Sequence, residues 1–334
     1  MIRKILISAI ILLLIFIILE KIITTIIPSP YISDKILGWK LKKNFSYNFK
    51  KKTYAGKNYL ASYSTNESGI IEFNKKPNSK KILVIGDSFS TDPNVGNEYF
   101  WYSIMAKKLE QNTNEKISVF ASGGGGYGTV QQYLIAKEII KTVSPELIIL
   151  QFCINDFENN SLDWEKKIYR YSQYMRRPYS DSDGNIYRKN YFINYIPDLI
   201  ANSRLFNSLL SRLGNYLSTV YPINLNTEQM QKIKIDSIHI TTMFLKKIYN
   251  INPEIKKIIV NCKKPENYPE ILWDDIANKI GYIVLKKNIE SIDSAIVKGE
   301  DIFSSDGGHF NMRGNNIFGV AIADEILDKK ILSW

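Results

Sequence analysis

Ser88 stands in Gly86-Asp87-Ser88-Phe89-Ser90, directly behind the apolar run Ile82-Leu83-Val84-Ile85. A serine hydroxyl is a weak nucleophile until a neighbouring base takes its proton. The chain has two histidines, His239 and His309. His309 follows Asp306 by three residues in Asp306-Gly307-Gly308-His309. That spacing lets a carboxylate hold one imidazole nitrogen and leaves the other free for a serine. His239 sits inside Asp236-Ser237-Ile238-His239-Ile240, a helical stretch, and is expected to be a packed or surface histidine. Acyl transfer also needs hydrogen-bond donors where the oxyanion develops. Three are on offer: the Ser88 backbone N–H, a backbone N–H in the glycine run of residues 122–128 (SGGGGYG), and the side-chain amide of Asn155 in Cys153-Ile154-Asn155-Asp156. Glycine suits the second role because it lets main chain approach a ligand closely. The run is not a phosphate loop, since no Gly-Lys-Ser/Thr follows it. Each stretch alone has an ordinary structural explanation, as a strand exit, a flexible turn, a helix cap or a turn with an incidental histidine. Together, in this order, they point to a Ser88–His309–Asp306 triad.

The elements around these stretches set where they meet. Residues 81–86, 116–121, 146–153, 254–262 and 281–285 read as strands, and residues 98–112, 129–143 and 311–329 as helices. Strands alternating with helices imply βαβ units and a parallel sheet. Continuous apolar strands fit burial on both faces. The serine block, the glycine run and the Asn155 block each follow a strand, and ligands of open parallel sheets bind beyond the C-terminal strand ends. The rhythm breaks between residues 157 and 249, which read as an insertion capping the sheet edge. Residues 28–79 read as a small β-rich leader.

These blocks resemble the SGNH (GDSL) hydrolase superfamily, over roughly residues 80–156 and 250–330. Ser88 matches the nucleophile of its GDS block. Gly126 matches the block glycine by its place in the loop, with Gly125 the alternative. Asn155 matches the asparagine of GxND, with Cys153 standing where that block has glycine. Asp306 and His309 match the acid and base of DxxH. Phe89 replaces the usual leucine after the serine. The stretches GYGTVQQ and NDFENN are similar to a bacterial membrane-anchored branch. The resemblance implies a three-layer α/β/α, flavodoxin-like fold with a short parallel sheet, and ester chemistry with no metal or cofactor. It implies an oxyanion hole of Ser88, Gly126 and Asn155.

The amino terminus bears on location. Arg3 and Lys4 precede an apolar run from Ile5 to Leu19, which resumes from Ile22 to Ile27 after Glu20 and Lys21. With those two charges at the interface, the stretch is long enough to cross a bilayer. It lacks the small residues of a cleavage site, and it is apolar on all sides, unlike an amphipathic core helix. Residues 1–27 are therefore read as an uncleaved anchor, with the basic end inside and residues 80–334, the catalytic domain, outside the cytoplasmic membrane of a bacterium. The net charge of +11 comes without a nucleic-acid fold signature, and nucleic acid is not expected as a partner. Cys153 and Cys262 read as two buried thiols at strand ends, compatible with either redox compartment. A hydrophobic content of 45% supports a real core.

The expected activity is hydrolysis of an O-acetyl or other short acyl ester on an acylated glycan, or of another small ester, at the cell envelope. The alternatives are an O-acyltransferase acting on a surface glycan, a lipase of bilayer lipids, and an inactive binding module. The residues name no protein partner.

Overall fold

The computed structural model describes residues 2–168, 176–189, 194–221, 223–262 and 270–332. It opens with helix α1 (Ile2–Ile26), whose apolar side chains are exposed along its length. At 1.5 Å per residue its 24-residue apolar portion spans about 36 Å, enough to cross a bilayer. Four strands in two antiparallel hairpins follow: β1 (Tyr31–Asp34) with β2 (Gly38–Leu41), and β3 (Ser46–Lys52) with β4 (Asn58–Ser64). They share a core with the rest of the chain, burying Leu41, Phe49, Ala61 and Tyr63.

The central unit comprises β5 (Ile71–Phe73), β6 (Lys80–Gly86), α2 (Ser88–Thr91), α3 (Trp101–Thr113), β7 (Ile117–Gly123), α4 (Thr129–Val143) and β8 (Leu147–Phe152). After β8 come α5 (Asn155–Asn159), α6 (Leu162–Ile168), the short pair β9 (Tyr179–Ser180) and β10 (Ile186–Tyr187), α7 (Asp198–Ala201), α8 (Arg204–Val220) and α9 (Thr227–Tyr249). The chain ends with β11 (Lys256–Asn261), α10 (Glu270–Ile280), β12 (Ile283–Leu285), α11 (Lys287–Val297) and α12 (Met312–Asp328).

All five expected strands form one sheet, in the order β12-β11-β8-β6-β7-β5. Those five are parallel, and the sheet is completed by β5, which pairs antiparallel with β7 at the edge. Numbered among themselves, the parallel strands run 2-1-3-4-5, the flavodoxin-like order, whose switch point lies between the first and third strands. Here those are β6 and β8.

Alternate residues of each strand feed opposite layers. Ile82, Val84, Leu147, Ile149, Ile258 and Val260 join α3, α11 and α12. Leu83, Ile85, Ile148, Leu150 and Ile259 join α4 and α9. This double burial is why the strands read as unbroken apolar runs. It also corrects the expected role of the insertion. Helix α9 packs on α4 and buries Leu245 and Ile248 over a sheet face, rather than capping an edge.

The cysteines need a second correction. Residues Phe152 and Asn261 are paired in register on β8 and β11. Cys153 and Cys262, the next residues, are thus neighbours, with Cα atoms 5.4 Å apart, and form a disulfide. That separation is ordinary for a disulfide. They are not free thiols.

Candidate active site

Strand β6 ends at Gly86, and Ser88 is the first residue of the short helix α2. Asp87 holds this turn: its Oδ1 accepts the Phe89 N–H at 3.0 Å, and its own N–H donates to Gln151 Oε1 at 3.0 Å. Gln151, on β8, also accepts the Ser90 hydroxyl. The strand exit is therefore braced from the neighbouring strand.

The Asp306–His309 loop reaches Ser88 from 221 residues away in the chain. His309 Nε2 lies 2.8 Å from Ser88 Oγ, and His309 Nδ1 lies 2.7 Å from Asp306 Oδ2. The other oxygen, Asp306 Oδ1, accepts the backbone N–H groups of Gly308 (2.9 Å) and His309 (3.0 Å). Partial burial pushes the Asp306 carboxyl up, but these N–H groups and the His309 ring together hold it below its ordinary value. It therefore stays ionised into mildly acidic solution. Gly307 adopts φ +71°, a left-handed turn that favours glycine. Downstream, Asn311 caps α12 by accepting the N–H groups of Arg313 and Gly314. Its amide also donates to the carbonyls of Asp301 and Phe303, pinning the loop from behind. The Phe89 ring sits 5.1 Å from the His309 ring. His239, by contrast, is on α9 with its Nε2 against the Ser182 carbonyl, far along the chain from these contacts.

The glycine run is packed rather than loose. A Cβ at Gly123 would lie 2.0 Å from the Gly86 carbonyl oxygen, so the two strand ends can pair only because that position is glycine. Gly125 has both main-chain groups engaged: its N–H donates to Tyr31 Oη at 2.9 Å and its C=O accepts Trp39 Nε1–H. Gly126, at φ +71°, offers its carbonyl to Asn159 Nδ2 (3.0 Å) and Arg177 Nη1 (2.5 Å). Asn155 is the first residue of α5, immediately beyond the β8 end and half-buried. All five predicted residues thus lie on segments leaving the C-terminal ends of β6, β7 and β8 or on the loop hydrogen-bonded to Ser88. Direct side-chain contact joins Ser88, His309 and Asp306, while Asn155 follows β8 and Gly126 follows β7, the strands on either side of β6.

Two supporting residues were not legible in the sequence. Tyr31 hydrogen-bonds Asp92 and Thr91 as well as Gly125, linking the leader to the turn after Ser88. Arg177 pairs with the buried Glu165 at 2.6 Å, bonds Gly126 and Gln131, and lies over the Trp39 ring. These are contacts between distant parts of the chain, and no local pattern announces them.

Asp87 gives a pH-dependent expectation. Complete burial lifts its carboxyl from 3.8 to about 6, against the opposing pull of the Phe89 N–H, Gln151 and His309. The folded-state value is above the unfolded one, so the folded chain is favoured while Asp87 is protonated. That advantage is lost as pH rises through 6. Asp87→Asn is therefore expected to be more stable than the wild type by about 3 kcal/mol at pH 8, with the gap closing near pH 4. Urea unfolding of both chains at the two pH values checks this, and an equal gap at both would contradict it.

No family model and no curated protein sequence matches the chain. Solved structures do. The chain is similar to a lipase/acylhydrolase from Enterococcus faecalis, at 13% identity and TM-score 0.41, over 75% of this chain and 96% of that one. It is similar to an acetylxylan esterase from Geobacillus stearothermophilus, at 14% identity and TM-score 0.43, over 75% and 96%. A third is LAE5, an α/β hydrolase from the metagenome of Lake Arreo, at 11% identity and TM-score 0.43, over 73% and 94%. These are likenesses of chain path and say nothing of this chain's chemistry. Its own layering and strand order are those of a flavodoxin-like α/β/α fold with a mostly parallel sheet.

Proposed function

We propose that the chain is a serine ester hydrolase that removes acetyl or similarly short acyl groups from carbohydrate outside the cytoplasmic membrane. The observation that carries this reading is the unbroken line from Ser88 Oγ through His309 to Asp306, at 2.8 and 2.7 Å. His309 Nε2 takes the Ser88 proton as Ser88 Oγ attacks the ester carbonyl carbon. The oxyanion that forms is held by the N–H groups of Ser88 and Gly126 and the Asn155 amide. Gly125 is less suited to that role, since its N–H is already given to Tyr31. His309 then returns its proton to the departing alcohol oxygen as the ester C–O bond breaks. Water, deprotonated by His309, attacks the acyl-serine; as the acyl C–Oγ bond breaks, His309 returns that proton to Ser88 Oγ and the free acid leaves. Asp306 holds the imidazole in the tautomer these steps require.

The short-acyl preference rests on the cleft beside Ser88. Its volume is about 10 Å³, with Phe89, Val95, Phe100 and Phe310 in its walls. That is the room of about one water molecule, and a methyl group suits it better than a long chain. A carbohydrate alcohol is supported by Tyr54, which is 72% exposed beside the catalytic loop. A Cβ at Gly307 would come within 3.3 Å of its ring. An exposed aromatic face offers an apolar platform to the C–H face of a sugar. Tyr54→Ala is expected to raise KM for an acetylated oligosaccharide roughly tenfold while leaving kcat/KM for p-nitrophenyl acetate within about twofold. Parallel kinetics on the two substrates check this, and equal losses on both would count against the sugar platform. The extracytoplasmic setting is supported by α1 and by the Cys153–Cys262 disulfide, which persists in oxidising compartments.

The test is hydrolysis of p-nitrophenyl acetate, butyrate and octanoate by the wild type and Ser88→Ala. Acetate turnover that falls with chain length and vanishes in the variant supports the reading. Undiminished turnover in Ser88→Ala would overturn it.

A further inference from the structure

Helix α8 is fastened to the anchor. Glu20, on α1, accepts the Ser203 hydroxyl (2.8 Å) and the backbone N–H groups of Arg204 (2.7 Å) and Leu205 (2.9 Å), and so caps the α8 amino terminus. Helix α8 buries Leu210 inward and exposes Leu209, Leu213, Tyr216 and Val220. Those four recur at intervals of four, three and four residues, which is one helix face. The amino terminus of α8 thus meets α1 at Glu20, and both helices carry exposed apolar side chains beyond that contact. Two linked helices with exposed apolar faces are stable in a bilayer interface and costly in water.

Between them lies a cavity of about 470 Å³. Ile23 of α1 and Ile27 just after it form one wall and Ser208 and Ser211 of α8 another, with Arg176 and Arg204 also at its surface. Arg176 is only 6% exposed. Its Nη1 donates to the Ala201 carbonyl at 3.1 Å, whereas its Nε and Nη2 groups have no partner among the described residues. Unpaired buried N–H groups of a guanidinium are costly. Asp198 acts on Arg176 only electrostatically, and the Glu20 oxygens are committed to α8. The fork of a guanidinium fits phosphate oxygens in a bidentate manner.

We propose that this cavity holds the phosphate-bearing headgroup of an anionic phospholipid, with its acyl chains lying along α1 past Ile23 and under the apolar face of α8. The volume suits a headgroup. A free phosphate would use the same N–H groups, but would leave the isoleucine wall without a partner. The site lies outside the hydrolytic residues and does not depend on ester hydrolysis.

The test uses the full chain purified in detergent, with native mass spectrometry after addition of dioctanoyl phosphatidylglycerol or inorganic phosphate. A one-to-one lipid adduct is expected for the wild type. Occupancy is expected to fall about tenfold or more in Arg176→Gln. Because Arg176 is buried, Ser208→Trp is measured beside it. This exposed position on α8 fills the cavity without disturbing the core, so its circular dichroism stays that of the wild type while the adduct is lost. Absence of the adduct in the wild type would overturn the proposal, as would equal occupancy in Ser208→Trp. Displacement of the lipid by inorganic phosphate at equal concentration would make it a free-anion site and overturn the lipid assignment.

Discussion

His309→Ala is expected to lower kcat for p-nitrophenyl acetate by roughly 10⁴- to 10⁶-fold, with KM changed little. Without the imidazole, Ser88 Oγ has no base 2.8 Å away, and the leaving alcohol has no acid. Ser88→Ala removes the nucleophile itself and should cost a similar amount. The two losses come from one device, so they should not add: the double variant is expected to match the singles within about tenfold. The residual rate would then reflect the oxyanion donors and binding alone. Initial-rate kinetics of the three variants against the wild type measure this. Additive losses would mean that Ser88 and His309 act separately, which a proton relay between them does not allow.

The second large effect is at the oxyanion. Asn155→Ala is expected to lower kcat by roughly 10²- to 10³-fold while KM holds, because the amide acts on charge that exists only in the transition state. The position makes this distinguishable from a folding defect. Asn155 is half-buried at the start of α5, just past Cys153, whose disulfide to Cys262 fixes the end of β8 to β11. Removing its side chain leaves that tether in place. Asn155→Asp, which keeps the shape but offers an anion where a donor is needed, should be at least as damaging as alanine. A loss that appears in KM instead would assign Asn155 to ground-state binding.

Much of this site was legible because its chemistry is concentrated in short blocks, each on a segment whose secondary structure is easily read. Ser88 sits behind one of five apolar strands, and the uninterrupted runs Ile82–Ile85 and Leu147–Leu150 are what burial on both faces of a parallel sheet demands. The Asp306–His309 spacing carries its own geometry. What was not legible depends on distance in sequence. Tyr31 meets Asp92 61 residues on, and Arg177 meets Gly126 51 residues back. The disulfide closes 109 residues and was hidden because pairing follows from the register of β8 with β11, which the cysteines themselves do not reveal. Strand β5 has three residues, too few to show direction. Helix α9 is a different case. Ile233, Ile240, Phe244 and Ile248 are buried at helical spacing, so its place against the core was available from periodicity. The break in the strand–helix rhythm over residues 157–249, rich in Tyr, Asn, Arg and Lys, reads instead as an insertion. Glu20 was expected at a membrane interface, and it also caps α8 across 184 residues.

The proposed hydrolysis requires Ser88 to be an activated nucleophile. The most direct measurement is the intact mass of the full chain after exposure to a fluorophosphonate, followed by peptide mapping, for the wild type, Ser88→Ala and His309→Ala. One phosphonyl group on Ser88 in the wild type, none in Ser88→Ala and strongly slowed labelling in His309→Ala is the predicted result. A folded wild-type chain that takes no label, or one labelled equally well when Ser88 is absent, would contradict it.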